Sequence, residues 1–193
     1  QSFLKFGVLV TMLKFLKYIC QLILSPGNGW EDISHAGEDH KQLIKTRLFP
    51  IFGVAAISVF IQMFYDFDLE FVLVLQQAIV IFVQFFLTYF IATLVFAITM
   101  PSFVDGEPNE KKYTTVIIYS LAIIALITIF QNCVPVELSL VPYLKIYVAI
   151  VLWKSVRYLA IKEQNVKNFV IMAALSIILP PMIINAIFNF IIQ

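Results

Sequence analysis

The sequence predicts an all-α, polytopic membrane protein with five transmembrane helices, and composition is the first observation that predicts it. Hydrophobic residues make up 61% of the 193 residues and charged residues only 13%, whereas soluble domains contain about 45–50% and about 25%. A soluble fold of this length could not cover so much apolar surface. The apolar residues also fall into long runs, and each run is long enough for a helix to cross a bilayer.

The distribution of basic residues predicts how these helices are oriented. Bases precede the first apolar run, lie between the second and third runs, and lie from the end of the fourth run to the start of the fifth; of the 13 bases, only Lys145 falls well inside a run. The connections around residues 66–70 and 132–137 contain acids and no base. Because short cytoplasmic loops are enriched in Lys and Arg, we expect a cytoplasmic N-terminus and an external C-terminus.

Residues 1–24 are predicted to form an amphipathic helix in the membrane surface. Four polar residues share about a third of the helical wheel, and mostly apolar residues fill the remainder; they are Thr11, Lys14, Lys17 and Gln21. Such a helix places its lysines toward anionic lipid head groups. The alternative is a poor transmembrane span, which we disfavour because a lysine near the bilayer centre costs roughly 2.5–3.5 kcal/mol.

Residues 25–47 are predicted to form a cytoplasmic juxtamembrane region. The segment opens with a Ser-Pro-Gly-Asn-Gly turn at residues 25–29, a composition that favours tight turns. Trp30 is suited to the head-group level. Gly37 is expected to divide the rest of the region into two short helices.

The transmembrane bundle is predicted over residues 48–193. Pro50 lies in the opening turn of the first helix, where a missing donor costs little. Pro101 is expected to end the second helix, which would extend about 45 Å. Pro180 and Pro181 are expected to interrupt or kink the last helix. The five expected helices are 48–65, 71–100, 113–133, 136–159 and 169–192.

Lys145 is the leading candidate for a functional residue inside the membrane, because an intramembrane charge is a functional hypothesis by default. The favoured alternative is a structural pair with Asp68 or Glu70, and snorkelling to the outer interface is another. Further polar side chains share helix faces, and interhelical hydrogen bonding is their favoured use, with a hydrophilic pathway as the alternative. The complete polar set is Lys145, Gln76, Gln77, Gln84, Thr88, Asn185 and Asn189.

Acids and both histidines cluster in the juxtamembrane region. The weak candidates for metal ligands are Glu31, Asp32, His35 and His40. Their spacing matches no zinc signature, so we expect a solvated surface with no metal and no cofactor. The sequence contains no nucleophile motif, P-loop or dinucleotide-binding motif, and no basic stripe with interleaved aromatics. We therefore expect neither enzymatic activity nor a nucleic-acid partner.

Several short motifs occur in a recognisable order along residues 22–190. They are Pro26, Trp30 and Ile33 before five helices, Asp105-Gly106 after the second helix, and Tyr119-Ser120 in the third. This layout resembles the Yip domain family of Ypt/Rab-interacting membrane proteins, and in particular its short bacterial members. The resemblance implies a role like those in membrane traffic, where the family is associated with prenylated small GTPases. It also implies a bacterial inner membrane.

We therefore expect a non-enzymatic scaffold or adaptor of the Yip type that organises partner proteins, anionic lipids or further copies of itself at the cytoplasmic face. The residues expected at that interface are Lys14, Lys17, Pro26, Trp30 and Ile33. The alternative is a small channel, transporter or lipid-handling protein that uses the polar set around Lys145. A cavity shared by Lys145 and Gln84 favours this alternative, and a dry, packed bundle excludes it.

Overall fold

A computed structural model describes residues 2–67, 69–134 and 141–192 of the chain. This part is almost entirely helical, and its β pairing is limited to an isolated bridge between Val104 and Ile161. The all-α prediction is confirmed. Within the same residues, four helices are long and apolar enough to cross a membrane. They are His40–Phe64, Phe71–Phe103, Glu110–Cys133 and Glu163–Phe188.

Two helices precede the first of these. α1 (Ser2–Leu24) and α2 (Pro26–Ala36) are joined by Ser25 and pack against each other. α2 ends at Gly37, whose φ of 58° is left-handed, a conformation that glycine adopts freely at helix C-termini. The predicted division of the juxtamembrane region at Gly37 is confirmed.

The helical run His40–Phe64 is not uniform. It consists of α3 (His40–Leu43), a π-helical turn (Ile44–Leu48), α4 (Phe49–Ile57) and a 3-10 stretch (Ser58–Phe64). The π-helical turn directly precedes Pro50, whose ring and missing N–H disturb the hydrogen bonds of the preceding turn. Helical structure therefore begins earlier than the predicted start at residue 48, and Pro50 lies inside the run.

α5 (Phe71–Phe103) has 33 residues and therefore extends about 50 Å, beyond a hydrocarbon core of about 30 Å. The prediction that Pro101 ends this helix at residue 100 was wrong. Pro101 removes only one hydrogen bond near the end of the helix. The final turn is also held against the last helix, because the rings of Phe103 and Phe169 lie with centroids 5.9 Å apart.

α6 (Glu110–Cys133) is the central helix, and most of its residues are buried. The expected fourth span, 136–159, is described from residue 141 onward. There a 3-10 turn (Val141–Ile146) leads into α7 (Tyr147–Lys154), and α8 (Val156–Leu159) follows after Ser155. Because this segment is broken, it is not among the four long helices, and the count of five spans stays a prediction.

α9 (Val166–Ile192) follows a 3-10 turn at Glu163–Asn165 and packs along α5 and α7. Helical structure continues through Pro180 and Pro181, so the expected interruption does not occur. Packing against two neighbouring helices holds both halves of α9 in place despite the hydrogen bonds that the prolines remove.

The two ends of the bundle differ in charge. At one end, Lys162 pairs with Asp105 at 3.0 Å, and Lys111 Nζ donates to the carbonyl oxygen of Gly37 at 3.0 Å. Apart from Lys145, the described bases belong to segments that meet at this end, which we call the lysine-rich end. At the opposite, distal end, Gln62 and Tyr65 contact Asn132 near the end of α6, and the turn Val141–Ile146 packs against α6.

Candidate functional site

A partly open cavity of about 420 Å³ lies within the bundle toward its distal end. Small-molecule sites commonly have volumes of about 300–1,000 Å³, so this space is large enough for a ligand. We call it the distal cavity. Its walls come from the 3-10 stretch Ser58–Phe64, Leu69, α5, α6, the turn Val141–Ile146 and α9.

Most of the polar set predicted from the sequence lines this cavity. The members that line it are Gln76, Gln77, Gln84, Lys145 and Asn185. Thr88 is buried nearby and donates through Oγ1 to the carbonyl oxygen of Gln84 at 2.6 Å, so it serves its own helix. The side chain of Asn189 lies outside the described residues.

Lys145 reaches the cavity from the 3-10 turn before α7 and is partly buried. In the described part of the chain, no acidic side chain forms an ion pair with it. Glu70, one of the partners expected from the sequence, is exposed, and Asp68 lies outside the described residues. Because the described lining residues include no carboxylate, Lys145 gives this part of the cavity a positive charge.

Two amide oxygens in the cavity wall lack hydrogen-bond partners among the described residues. Oε1 of Gln76 and Oε1 of Gln84 are both buried, and neither accepts a hydrogen bond within the residues that the structure describes. Buried polar atoms are rarely unpaired, because an unmet hydrogen bond costs about 1–3 kcal/mol. These oxygens are therefore available to donors on a bound molecule or water.

The distal wall of the cavity is braced by a hydrogen-bond network that the sequence analysis missed. Asn132 Nδ2 donates to Ser58 Oγ at 2.9 Å, and Gln62 Nε2 donates to Asn132 Oδ1 at 3.0 Å. The hydroxyl of Tyr65 donates to the carbonyl oxygen of Asn132. The available signal was the adjacent pair of amides, Gln131 and Asn132, at the end of the third apolar run; both line the cavity, as does Thr128.

The residues expected at a partner interface divide into two groups at the lysine-rich end. Lys14 and Lys17 are exposed, and Pro26 is partly exposed. Trp30 and Ile33 are buried, with exposed fractions of 2% and 5%. The indole of Trp30 donates to the carbonyl oxygen of Val151 at 2.9 Å and stacks on Tyr158. Trp30 and Ile33 therefore serve internal packing and are not accessible to a partner.

Part of the apolar side of α1 is covered by protein. Phe15, Ile19 and Leu22 are fully buried, and the rings of Phe15 and Tyr119 lie with centroids 5.0 Å apart. The part of α1 that packs on α2 and α6 is therefore not free to face lipid. Whether the helix lies at the membrane surface stays a prediction.

A charged cluster joins α1 to the start of the first long run. Glu38 pairs with Arg47, which is 8% exposed, and with Lys14 at 3.3 Å. The hydrogen bond to Glu38 raises the pKa of Lys14. The Arg47 guanidinium also lies 5.8 Å from the centroid of the Phe15 ring. Glu38 therefore provides the countercharge that buried Arg47 needs in a structural contact.

The weak metal candidates do not converge. Among the described residues, no three His, Cys, Asp or Glu side chains lie close enough together to hold a metal ion. Asp32 accepts a hydrogen bond from Gln21, and His40 lies 3.5 Å from Asp39. Glu31 and His35 are exposed.

A smaller cavity of about 150 Å³ lies at the lysine-rich end. Its charged lining groups already have partners: Lys111 donates to Gly37, and Lys112 lies 5.5 Å from the centroid of the Tyr158 ring. Glu38 is held by Arg47 and Lys14. In the distal cavity, by contrast, Lys145 and the Oε1 atoms of Gln76 and Gln84 have no partner of this kind among the described residues, so it is the stronger candidate for a ligand site.

No known protein family, curated protein or solved structure matches the chain. The resemblance to the Yip domain family stays a prediction, and the functional argument depends on the distal cavity.

Proposed function

We propose that the chain is an integral membrane protein that binds an anionic ligand in the distal cavity, as a small transporter, channel or lipid-handling protein. One observation carries the proposal. Lys145, Gln84 and Asn185 come from three separate segments and line the same cavity, and no described acid compensates the lysine. This arrangement favours the alternative raised by the sequence over a scaffold.

The sign of the charge selects the class of ligand. An unpaired ammonium within a membrane bundle is costly, and a bound anion would supply the missing countercharge. The amides of Gln76 and Gln84 would add hydrogen bonds that are strong in such a poorly solvated site. A cation would face Lys145, and among the residues described in the lining no carboxylate offsets the repulsion.

The proposed orientation places the lysine-rich end in the cytoplasm. Exposed bases there would meet anionic lipid head groups; they are Lys14, Lys17, Lys41, Lys45, Lys111, Lys154, Arg157 and Lys167. With residues 136–159 as the fourth of five spans, the N-terminus is inside and the C-terminus outside. The distal cavity then lies in the outer half of the bilayer. The Yip resemblance supports a bacterial inner membrane.

A Yip-type scaffold is the second candidate. Exposed Lys14 and Lys17, next to exposed Leu13, support a surface for lipids or partner proteins at the lysine-rich end. The burial of Trp30 and Ile33 removes two of the five residues on which that interface was predicted. We therefore rank the scaffold below the ligand-binding role.

The proposal is tested by ligand-dependent stability of the purified chain in an uncharged detergent. Thermal unfolding is followed with inorganic phosphate, butyrate, decyl phosphate and the cationic decyltrimethylammonium at constant ionic strength. The variants are Lys145→Met and the matched control Lys154→Met, which removes an exposed lysine outside the cavity. At about 100 times Kd, a ligand adds roughly 2.7 kcal/mol, equivalent to a rise in Tm of roughly 5–10 °C.

We expect at least one anion, and not the cation, to raise Tm in the wild type and in Lys154→Met. The rise should be largely lost in Lys145→Met. Stabilisation by no anion, or equal stabilisation of both variants, would contradict the proposal.

A further inference from the structure

The margins of the distal cavity are apolar and face the side of the bundle. Asn185 lines the cavity and is exposed, and its neighbours Ile183 and Ile187 are 51% and 52% exposed. Lys145 likewise lies between two exposed apolar residues, Leu144 and Ile146. In a bilayer, such side chains face lipid, where a lone amide would be left unsatisfied. Asn185 is therefore placed where a polar interior meets the hydrocarbon.

The two segments that carry Lys145 and Asn185 diverge toward the distal end. α7 packs against α9, whereas the preceding turn Val141–Ile146 packs against α6 and α7. In the part of the chain that the structure describes, that turn has no comparable packing against α9. The space between the turn and α9 is therefore lined by Lys145 on one side and Asn185 on the other, and we call it the gap.

The interior of the cavity needs both a negative charge and hydrogen-bond donors. Lys145 requires an anion, while the buried Oε1 atoms of Gln76 and Gln84 lack donors. Exchanging the oxygen and nitrogen positions of either amide would still leave a group that needs a partner. A phosphate ester with neighbouring hydroxyl groups carries both acceptor and donor groups. Gln76 and Gln84 lie about 8 Å and about 20 Å along α5 from its first residue, so a head group could contact one or both.

We infer that the ligand of the distal cavity is an amphiphilic anion from the bilayer: a lipid whose phosphate head group carries hydroxyls. It enters through the gap between the turn Val141–Ile146 and α9. Its phosphate binds Lys145, its hydroxyls bind the amides, and its chains stay among the apolar residues at the margin. This inference rests on the proposed function and specifies its ligand class.

The test measures binding to the purified full-length chain in an uncharged detergent by native mass spectrometry. Four probes separate the contributions: short-chain phosphatidylglycerol, phosphatidic acid with the same chains but no head-group hydroxyls, phosphatidylcholine, and soluble glycerol 3-phosphate without chains. Phosphatidylglycerol should bind most tightly. Phosphatidic acid should bind roughly tenfold more weakly, because the hydrogen bonds to the amides are lost. Phosphatidylcholine and glycerol 3-phosphate should bind more weakly still.

Variants locate the binding site. Lys145→Met should weaken phosphatidylglycerol binding roughly tenfold or more, since a hydrogen bond to a charged group is lost, and Lys145→Arg should retain most of it. Asn185→Leu is a second variant. Because Asn185 is exposed, the substitution changes the margin of the gap without disturbing the core, and it should weaken phosphatidylglycerol binding. Lys17→Met, at the lysine-rich end, is the comparison, and the loss of affinity caused by Lys145→Met should persist in its background.

Each alternative outcome is distinguishable. If glycerol 3-phosphate matches phosphatidylglycerol and both depend on Lys145, access from the bilayer is overturned while the proposed anion site stands. If phosphatidic acid binds as tightly as phosphatidylglycerol, the requirement for hydroxyls is overturned. Binding that depends on Lys17 and not on Lys145 places the lipid at the lysine-rich end and overturns the inference. Absence of Lys145-dependent binding by any anion rejects the proposed function as well.

Discussion

Trp30 Nε1 donates a hydrogen bond to the carbonyl oxygen of Val151 at 2.9 Å, joining residues 121 positions apart in the sequence. The same oxygen accepts from the backbone N–H of Ser155 at 3.1 Å. The indole is almost fully buried, at 2% exposed, and its ring stacks on Tyr158. This contact fixes the α1–α2 pair to α7, the helix that follows the turn bearing Lys145.

Trp30→Phe should destabilise the protein by about 1 kcal/mol, the usual value of a neutral hydrogen bond. The cost stays small because Ser155 still satisfies the Val151 carbonyl. Trp30→Ala should cost about 3–5 kcal/mol, since it also removes the ring from the core. Unfolding in mixed micelles with increasing sodium dodecyl sulfate gives both values. Equal losses for the two variants would show that the hydrogen bond, and not the ring, carries the contact.

Gly29 and Gly27 provide a matched pair within α2. A Cβ on Gly29 would lie 2.8 Å from Leu22 Cδ2 and 3.0 Å from the Leu22 backbone, whereas a Cβ on Gly27 would have no neighbour within 4 Å. Gly29→Ala should therefore destabilise the protein by about 1–3 kcal/mol through overpacking. Gly27→Ala should be neutral or stabilising by up to about 1 kcal/mol. Unfolding in mixed micelles with increasing sodium dodecyl sulfate compares the two variants. If both unfold at the same fraction of sodium dodecyl sulfate, the close packing of Gly29 on Leu22 is contradicted.

Glu38→Gln should lower the stability of the protein, because it removes the countercharge of Arg47. Arg47 is buried, and removing the countercharge of a buried ion costs about 3–5 kcal/mol. The control is Lys14→Met, which removes the exposed partner of the same carboxylate and should cost no more than about 1 kcal/mol. Thermal unfolding of the two variants shows which of them loses more stability. A larger loss for Lys14→Met would contradict this account of the cluster.

Asn132→Leu should destabilise the distal wall of the cavity. The substitution leaves the Ser58 hydroxyl and the Gln62 amide without their shared partner, at a cost of about 1–3 kcal/mol. Gln131→Leu, one residue earlier, is the control, because the Gln131 amide takes part in none of the hydrogen bonds of this network. It should have less effect on the unfolding free energy. The reverse order would show that the network does not brace the wall.

The sequence predicted the polar lining of the cavity because the bilayer restricts where polar groups can lie. An amide or ammonium on a transmembrane segment is expected to face other helices, and Gln76, Gln84, Lys145 and Asn185 share one cavity. Asn132 and Gln62 were missed because they lie near the ends of apolar runs, where water is an equally suitable partner. Their roles depend on how the distal ends of three segments meet.

The sequence was less informative where tertiary packing outweighs a local preference. Pro101 and the Pro180-Pro181 pair disfavour helix, yet α5 and α9 pack along each other and continue past them. Trp30 is equally suited to a membrane interface and to a core. Its burial depends on Val151 and Tyr158, and neither contact is visible in local sequence.

We propose that Lys145, which pairs with none of the described acids, is a charge kept for an anionic ligand and not half of a structural ion pair. The most direct measurement is the unfolding free energy of lipid-free Lys145→Met in an uncharged detergent without added anions. If no partner compensates the lysine, removing its charge should stabilise the protein, by on the order of 1 kcal/mol. A loss of stability of several kcal/mol, as expected when a buried ion pair is broken, would contradict the account.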